Sequence, residues 1–235
     1  KTGGSMLGDK TRMEELSIKK NAFIRPTPSS GHLGGVAKKT RESISCFEAA
    51  GYEIIFVETM GVGQAETAVY NMVDIFIVLL LPSGGDDLQG IKKGIIELSD
   101  LLIVNKADNS LIPAANITVN DYRTAISIIR PIRKDWKPEI LKCSSLNNEG
   151  IEEIWKSITN FIAIRIKNNN LLINRSKQNI YWMWELIENN LNFFIKEKVK
   201  NEEIVRKIEQ NVYNQNIDPT SAAKQILKTY MKNYN

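Results

Sequence analysis

Two short runs constrain this chain more than anything else in it: Asp74–Leu81 (DIFIVLLL) and Leu101–Asn105 (LLIVN). Both are apolar at consecutive rather than alternate positions. A strand with one wet face alternates, so runs of this kind belong to strands covered on both faces, as in a parallel sheet between helices. Glu53–Thr59 (EIIFVET), Glu139–Ser144 (EILKCS) and Ala22–Arg25 (AFIR) read as three further strands. Helical patterns fill the gaps. Val36–Ala50 is closed by Gly51 as a C′ glycine, Leu88–Ser99 carries Ile91, Ile95 and Leu98 on one face, Thr118–Ile129 stops before Pro131, and Gly150–Ile164 spaces Ile151, Ile154, Trp155, Ile158 and Ile162 helically. The alternation predicts an α/β fold: a mostly parallel sheet flanked by helices, with right-handed crossovers.

Beyond residue 166 the pattern is helical throughout. One helix is expected from Ser176 to Lys200, with Tyr181, Trp182 and Trp184, and two shorter ones over 202–213 and 218–232. Asn168–Asn170 reads as a hinge, and Asp218-Pro219 as an N-cap followed by a first-turn proline. The expected division is a domain over 1–166 and a C-terminal helical arm over 167–235, able to fold back or to pack on a second subunit. The aromatic cluster of the first arm helix reads as packing or a dimer contact.

Composition removes several function classes. With 43% apolar and 25% charged residues the chain is an ordinary globular one. Two cysteines, Cys46 and Cys143, cannot build a disulfide framework, and a single histidine, His32, excludes a multi-histidine metal site. Cys46 is expected to pack within its helix and Cys143 to be a buried strand thiol. The longest clean apolar run, Ile75–Leu81, ends at Pro82 and is too short for a bilayer. Residues 1–150 hold 18 basic and 18 acidic residues, while 151–235 hold 13 and 9, so the net charge of +4 lies in the arm. Without interleaved aromatics that surplus reads as a solvated face. The expectation is a soluble, cytoplasmic protein with neither nucleic acid nor membrane as partner.

Three motifs follow strands. Asn105-Lys106-Ala107-Asp108 leaves LLIVN at a C-terminal sheet edge, where ligands of open α/β sheets bind. A carboxylate there can accept from a ring N–H and an adjacent exocyclic amino group, a pair that guanine offers and adenine does not. The lysine stem can lie along a base, and the asparagine can tie neighbouring loops. Ser144-Ser145-Leu146 ends the next strand, where the Ser145 N–H can donate to guanine O6. Glu58-Thr59-Met60-Gly61 follows EIIFVET; its acid can hold a Mg²⁺-bound water and its glycine can bring an N–H close to a γ-phosphate. A fourth stretch, Gly3 to Thr11 (GGSMLGDKT), imitates a phosphate loop, but Asp9 intrudes between Gly8 and Lys10 and no strand precedes it.

These motifs, in this order and with the text between them, resemble the MeaB/ArgK-type GTPases, a P-loop family that includes the human methylmalonic aciduria type A protein. The stretches that carry the likeness are TGGSMLGDKTRM, AFIRPTPSSGHLGG, CFEAAGYEIIFVETMGVGQAET, MVDIFIVLL, GGDDLQGIKKGIIELSDLLIVNKAD and CSSLNNEGIEEIW. The resemblance covers residues 2–165 closely and the arm more loosely. It implies a homodimeric GTPase that hydrolyses GTP to GDP with Mg²⁺ and acts as a chaperone of an adenosylcobalamin-dependent acyl-CoA mutase. Residue by residue, it implies guanine contacts from Asn105, Lys106, Asp108, Ser144, Ser145 and Leu146. Asp9 and Glu58 would lie near Mg²⁺ and the attacking water, Gly61 would open a switch segment reaching to Glu66, and 84–93 would form a further switch from which Lys92 reaches the nucleotide.

The sequence departs from the family pattern in having no counterpart of the phosphate loop, first strand and first helix. The expectation is therefore a partial G domain with weak or no hydrolysis of its own. Two other readings compete: a non-catalytic dimerisation and interaction fragment, and the transport-system ATPase or kinase of the older family label.

Overall fold

The computed structural model describes residues 13–26, 33–59, 65–82, 93–200 and 202–230. The chain divides into two compact units, Lys1–Asn179 and Ile180–Asn235. The first opens with a short helix α1 (Glu14–Ser17), then α2 (Leu33–Ala49) and α3 (Ala65–Tyr70). A strand–helix series follows: β1 (Ile77–Leu80), α4 (Lys93–Leu98), β2 (Leu101–Val104), α5 (Ile112–Ile128), β3 (Glu139–Lys142) and α6 (Ile151–Lys167). Helix α7 (Asn170–Phe194) runs on from a two-residue break at Asn168 and Asn169, and α8 (Glu203–Tyr213) and α9 (Pro219–Tyr230) are the last helices among the described residues.

The three strands form a parallel sheet in the order β1-β2-β3, with Ile77, Leu101 and Glu139 in register. Central β2 is covered on both faces, as its unbroken apolar run requires, whereas β1 departs from that expectation by leaving Leu79 69% exposed. On one side Leu80, Leu102, Val104 and Ile140 pack against Ile96 of α4 and Ala115, Val119, Tyr122 and Ile126 of α5. On the other, Leu101, Ile103, Leu141 and Cys143 meet Ile154 and Ile158 of α6. All four residues of central β2 are buried, which places roughly 2 kcal/mol of apolar transfer free energy in each side chain.

Local signals account for several element ends. Tyr52 N–H donates to Phe47 O and Gly51 N–H to Glu48 O, both at 3.0 Å, with Gly51 at φ +87°. This is the paired closure that needs a left-handed C′ residue, and the Phe47 and Tyr52 rings meet across it at 5.7 Å. Asp218 Oδ1 accepts from Thr220 N and Ser221 N at 3.0 Å, so it caps α9 ahead of Pro219 as its sequence position suggests.

Some expectations are corrected. Glu53–Thr59 forms no strand and has no strand partner among the described residues; Phe56 is 80% and Ile54 53% exposed, so β-branched composition alone does not make a strand. Ala22–Arg25 likewise forms no strand, and Phe23 instead sets its ring 5.7 Å from that of Phe47. Helix α5 begins six residues earlier than expected, because Pro113 occupies its first turn, where a missing N–H costs nothing. Helix α7 begins at Asn170 rather than Ser176, because Asn169 absorbs the break with φ +57°. Cys46 is exposed on α2, not packed.

The end of the sheet where the strands begin is held by buried charge. Arg133 faces Asp100 in a two-pronged pair, and the second Asp100 oxygen also accepts from Phe76 N at 2.9 Å. Burial opposes the guanidinium charge, but the Asp100 hydrogen bond and charge outweigh it and raise the Arg133 pKa above its ordinary value. Trp136 Nε1 donates to Asp100 O at 2.8 Å, and its ring meets Phe161 edge-on. The opposite sheet end is left for the site.

Candidate functional site at the C-terminal rim of the sheet

Both guanine-reading motifs of the sequence converge at this rim. The loop leaving β2 carries Asn105 to Asp108, and the loop leaving β3 carries Ser144 to Leu146. Backbone bonds sew the two together: Cys143 N donates to Val104 O and Ala107 N to Cys143 O, each at 2.9 Å. Lys106, at φ +60°, makes the turn between the strand and Asp108. A non-glycine residue in that region costs about 1–2 kcal/mol, and local hydrogen bonds must hold it there.

Asn105 supplies those bonds. Its Oδ1 accepts from Lys106 N at 2.7 Å, from Ser145 N at 3.1 Å and from Ser145 Oγ at 3.0 Å, with the Cys143 thiol at 3.4 Å. One side-chain oxygen thus ties both loops. Its Nδ2 carries no hydrogen bond among the described residues. The Ser145 N–H, expected from sequence to address a base oxygen, is here bonded to Asn105.

Asp108 is 8% exposed. Its Oδ2 accepts from Ser144 Oγ at 2.6 Å, and its Oδ1 accepts a long bond of 3.3 Å from Asn109 Nδ2. An ionised carboxylate has about four acceptor positions, so two strong ones remain for a ligand. Ser144 is 1% exposed and its hydroxyl also accepts from Asn147 N at 3.1 Å; it orients Asp108 from behind. Lys106 and Ser145 are exposed, and Leu146, 78% exposed, stands clear at the rim.

The loop after Ser144 is closed by a pair of 3.0 Å bonds between Ser144 and Glu149. Gly150 follows with φ +76°, so close to β3 that a Cβ would stand 2.5 Å from Lys142 O and 3.2 Å from Cys143 Cα. The helical spacing from Gly150 onward sets Gly150 at a helix start and gives Glu149 no part; the turn composition of Asn148-Glu149-Gly150 is the signal for this closure. Burial raises the Cys143 thiol pKa, only partly offset by Ser145, so the thiol stays protonated against Asn105.

The other half of the expected site is less visible. Glu58 is exposed in the irregular segment that follows residue 53. Asp9, Gly61 and Lys92 lie outside the described residues. Among the described residues no group of three or more His, Cys, Asp or Glu side chains could hold a metal ion. No described helix is long and apolar enough to cross a membrane.

Comparison with known proteins identifies the family. A family model described as the methylmalonyl-CoA mutase-associated GTPase MeaB matches residues 1–201. A protein of Caulobacter vibrioides named putative GTPase is 45% identical over 229 residues, covering 97% of this chain and 70% of its own. The Mus musculus methylmalonic aciduria type A homolog, mitochondrial, is 43% identical over 229 residues, 97% of this chain and 55% of its own. Escherichia coli GTPase ArgK is 41% identical over 236 residues, 99% of this chain and 70% of its own. Among solved structures, a LAO/AO transport system kinase superposes with a TM-score of 0.72 at 34% identity, over 92% of this chain and 68% of that one. The chain therefore spans between about half and somewhat over two thirds of these relatives, and it belongs to the MeaB family of methylmalonyl-CoA mutase-associated GTPases.

Proposed function

We propose that this chain binds a guanine nucleotide at the rim, with Asp108 accepting from the base N1–H and 2-amino group. Asn105 Nδ2 addresses the base's acceptor edge, the Lys106 stem lies along its plane, and Ser145 and Leu146 border it. The observation that supports this reading is the buried Asp108 carboxylate at the end of β2, held by Ser144 and Asn109 and left with further acceptor positions unfilled among the described residues. Leaving such positions empty is costly, and adenine offers no matching pair of donors, so discrimination between the bases is expected to be large.

The activity proposed for the whole protein is hydrolysis of GTP to GDP. Mg²⁺ would be held near Asp9 and Glu58, where it supplies charge neutralisation at the phosphates. Gly61 would present an N–H near the γ-phosphate and Lys92 a cation from the further switch. The partner proposed is an adenosylcobalamin-dependent acyl-CoA mutase, for which this protein serves as chaperone; the family's printed description, mutase-associated, supports it. Homodimerisation through the C-terminal arm, with its domain boundary near residue 166, belongs to the same proposal. Exposed Ile180, Trp184, Ile187, Leu191 and Ile195 recur at four- and three-residue steps along one stripe and support it.

Binding is the discriminating readout, because it asks only for the residues at the rim. Titration of the chain with a fluorescent GTP analogue, competed by GTP and by ATP, is expected to favour GTP by about 10²-fold or more. Asp108→Asn replaces an acceptor by a donor facing donors and should abolish that preference with the fold intact. Equal competition by ATP, or an unchanged preference in the variant, would overturn the assignment.

A further inference from the structure

Among the described residues strand β3 is an edge of the sheet, and its outward side is chemically specific. Cys143 directs both its N–H and its C=O to the β2 side, through Val104 and Ala107. Backbone direction alternates along a strand, so Glu139 and Leu141 also face β2, and Ile140 and Lys142 turn their backbone groups outward. The next outward residue, Ser144, is closed off by its own bonds to Glu149, and Lys142 O is covered by Gly150. Among the described residues three backbone groups have no hydrogen-bond partner: Ile140 N–H, Ile140 C=O and Lys142 N–H.

Beside this edge lies a groove between β3 and α5. Asn116, Val119, Asn120 and Arg123, at helical positions i, i+3, i+4 and i+7, face Ile140 and Lys142 across it. Val119 and Ile140 form a buried apolar floor. Two cations flank it with neutral partners: Lys142 Nζ bonds Asn116 Oδ1 at 2.7 Å and Arg123 Nη1 bonds Asn120 Oδ1 at 3.2 Å. Neither has an ion-pair partner among the described residues, whereas Arg133, Arg165 and Arg175 each face a carboxylate. The acid of β3 itself, Glu139, is bonded to Ser157 of α6.

We infer that this edge and groove form a docking site for an extended acidic peptide, which adds to β3 as a further strand. Main-chain bonds to Ile140 and Lys142 set its register, small apolar side chains enter over Val119, and carboxylates meet Lys142 and Arg123. The charge pattern selects the occupant. A lysine on an edge repels basic strands and leaves uncharged ones unrewarded, and a second copy of this chain would bring the same two cations face to face. The inference is independent of the nucleotide reading, since no residue of it is assigned to the base.

The test uses the chain with three labelled ten-residue peptides: alternating valine and glutamate, alternating valine and lysine, and the first with a central proline. The glutamate peptide should bind saturably and at least about tenfold more tightly than either control. Lys142→Glu and Arg123→Glu should each weaken it and strengthen the lysine peptide, a reversal that misfolding cannot produce. By residue-resolved hydrogen exchange, the Ile140 and Lys142 amides should slow on binding while Leu141, already bonded to β2, stays unchanged. Equal binding of the three peptides, no saturation at millimolar concentration, or unchanged exchange at Ile140 and Lys142 would overturn the inference. So would protection of those amides that rises with protein concentration alone, because it would make a second copy the occupant.

Discussion

Gly150→Ala tests how the rim is built. The new methyl would sit 2.5 Å from Lys142 O, 3.2 Å from Cys143 Cα and 3.3 Å from Cys143 Cβ. Those atoms are backbone or the root of a side chain, and none can rotate away. Relief requires the loop to move by roughly 1 Å relative to β3, since ordinary contacts of this kind lie near 3.5 Å. Overpacking of this sort costs about 1–3 kcal/mol. The φ of +76° at this position adds about 1–2 kcal/mol for a residue with a Cβ. Together they amount to about 2–5 kcal/mol, a large part of a small domain's stability. The shift also reaches the site. Cys143 precedes Ser144, whose 2.6 Å bond to Asp108 would not survive a displacement of that size. Urea unfolding should show a lower midpoint with an unchanged slope, and the folded variant should bind the GTP analogue more weakly. A stability change below about 0.5 kcal/mol would refute the packing argument. A stability loss with undiminished affinity would refute the link between this glycine and the carboxylate.

Other perturbations probe the rest of the molecule. Arg133→Met strands the Asp100 carboxylate in the interior and should cost about 3–5 kcal/mol, whereas adding Asp100→Leu should recover part of the loss in the double variant's unfolding curve. Asp135 bonds Asn170 and Arg165; burial opposes its charge, but those two partners outweigh it and lower its pKa below 3.8. The unfolded chain therefore takes up this proton first, so the contribution is complete above pH 3.8 and fades as pH falls through the lower folded value. Asp135→Asn should flatten that part of the acid-unfolding profile, and an identical profile would contradict the assignment. Thiol titration of the native chain should show Cys46 reacting fast and Cys143 only on unfolding; two fast thiols would contradict the burial of Cys143.

Much of the sheet was legible because its signal is local. Apolar residues on both faces of LLIVN and of the run before Pro82 are a property of consecutive side chains, and they marked β2 and β1 directly. Gly51 and Asp218 were legible for the same reason, since a cap is decided within a single turn. EIIFVET carries as strong a strand composition, yet it has no strand partner among the described residues. Strand identity needs a neighbour as well as a pattern, and no pattern specifies that neighbour.

The rim shows the same division. The amino-acid order alone places a carboxylate, an amide and two hydroxyls at the ends of successive strands, because the chain leaves a parallel sheet at one end after each strand. It also names their chemistry, since acceptors and donors are properties of single residues. Only the folded molecule decides who bonds to whom: that Asn105 holds Ser145, that Ser144 stands behind Asp108, and that Arg133 reaches Asp100 across 33 residues. Those pairings arise when β2 and β3 come into register and bring distant loops within 3 Å, a distance that no local periodicity encodes.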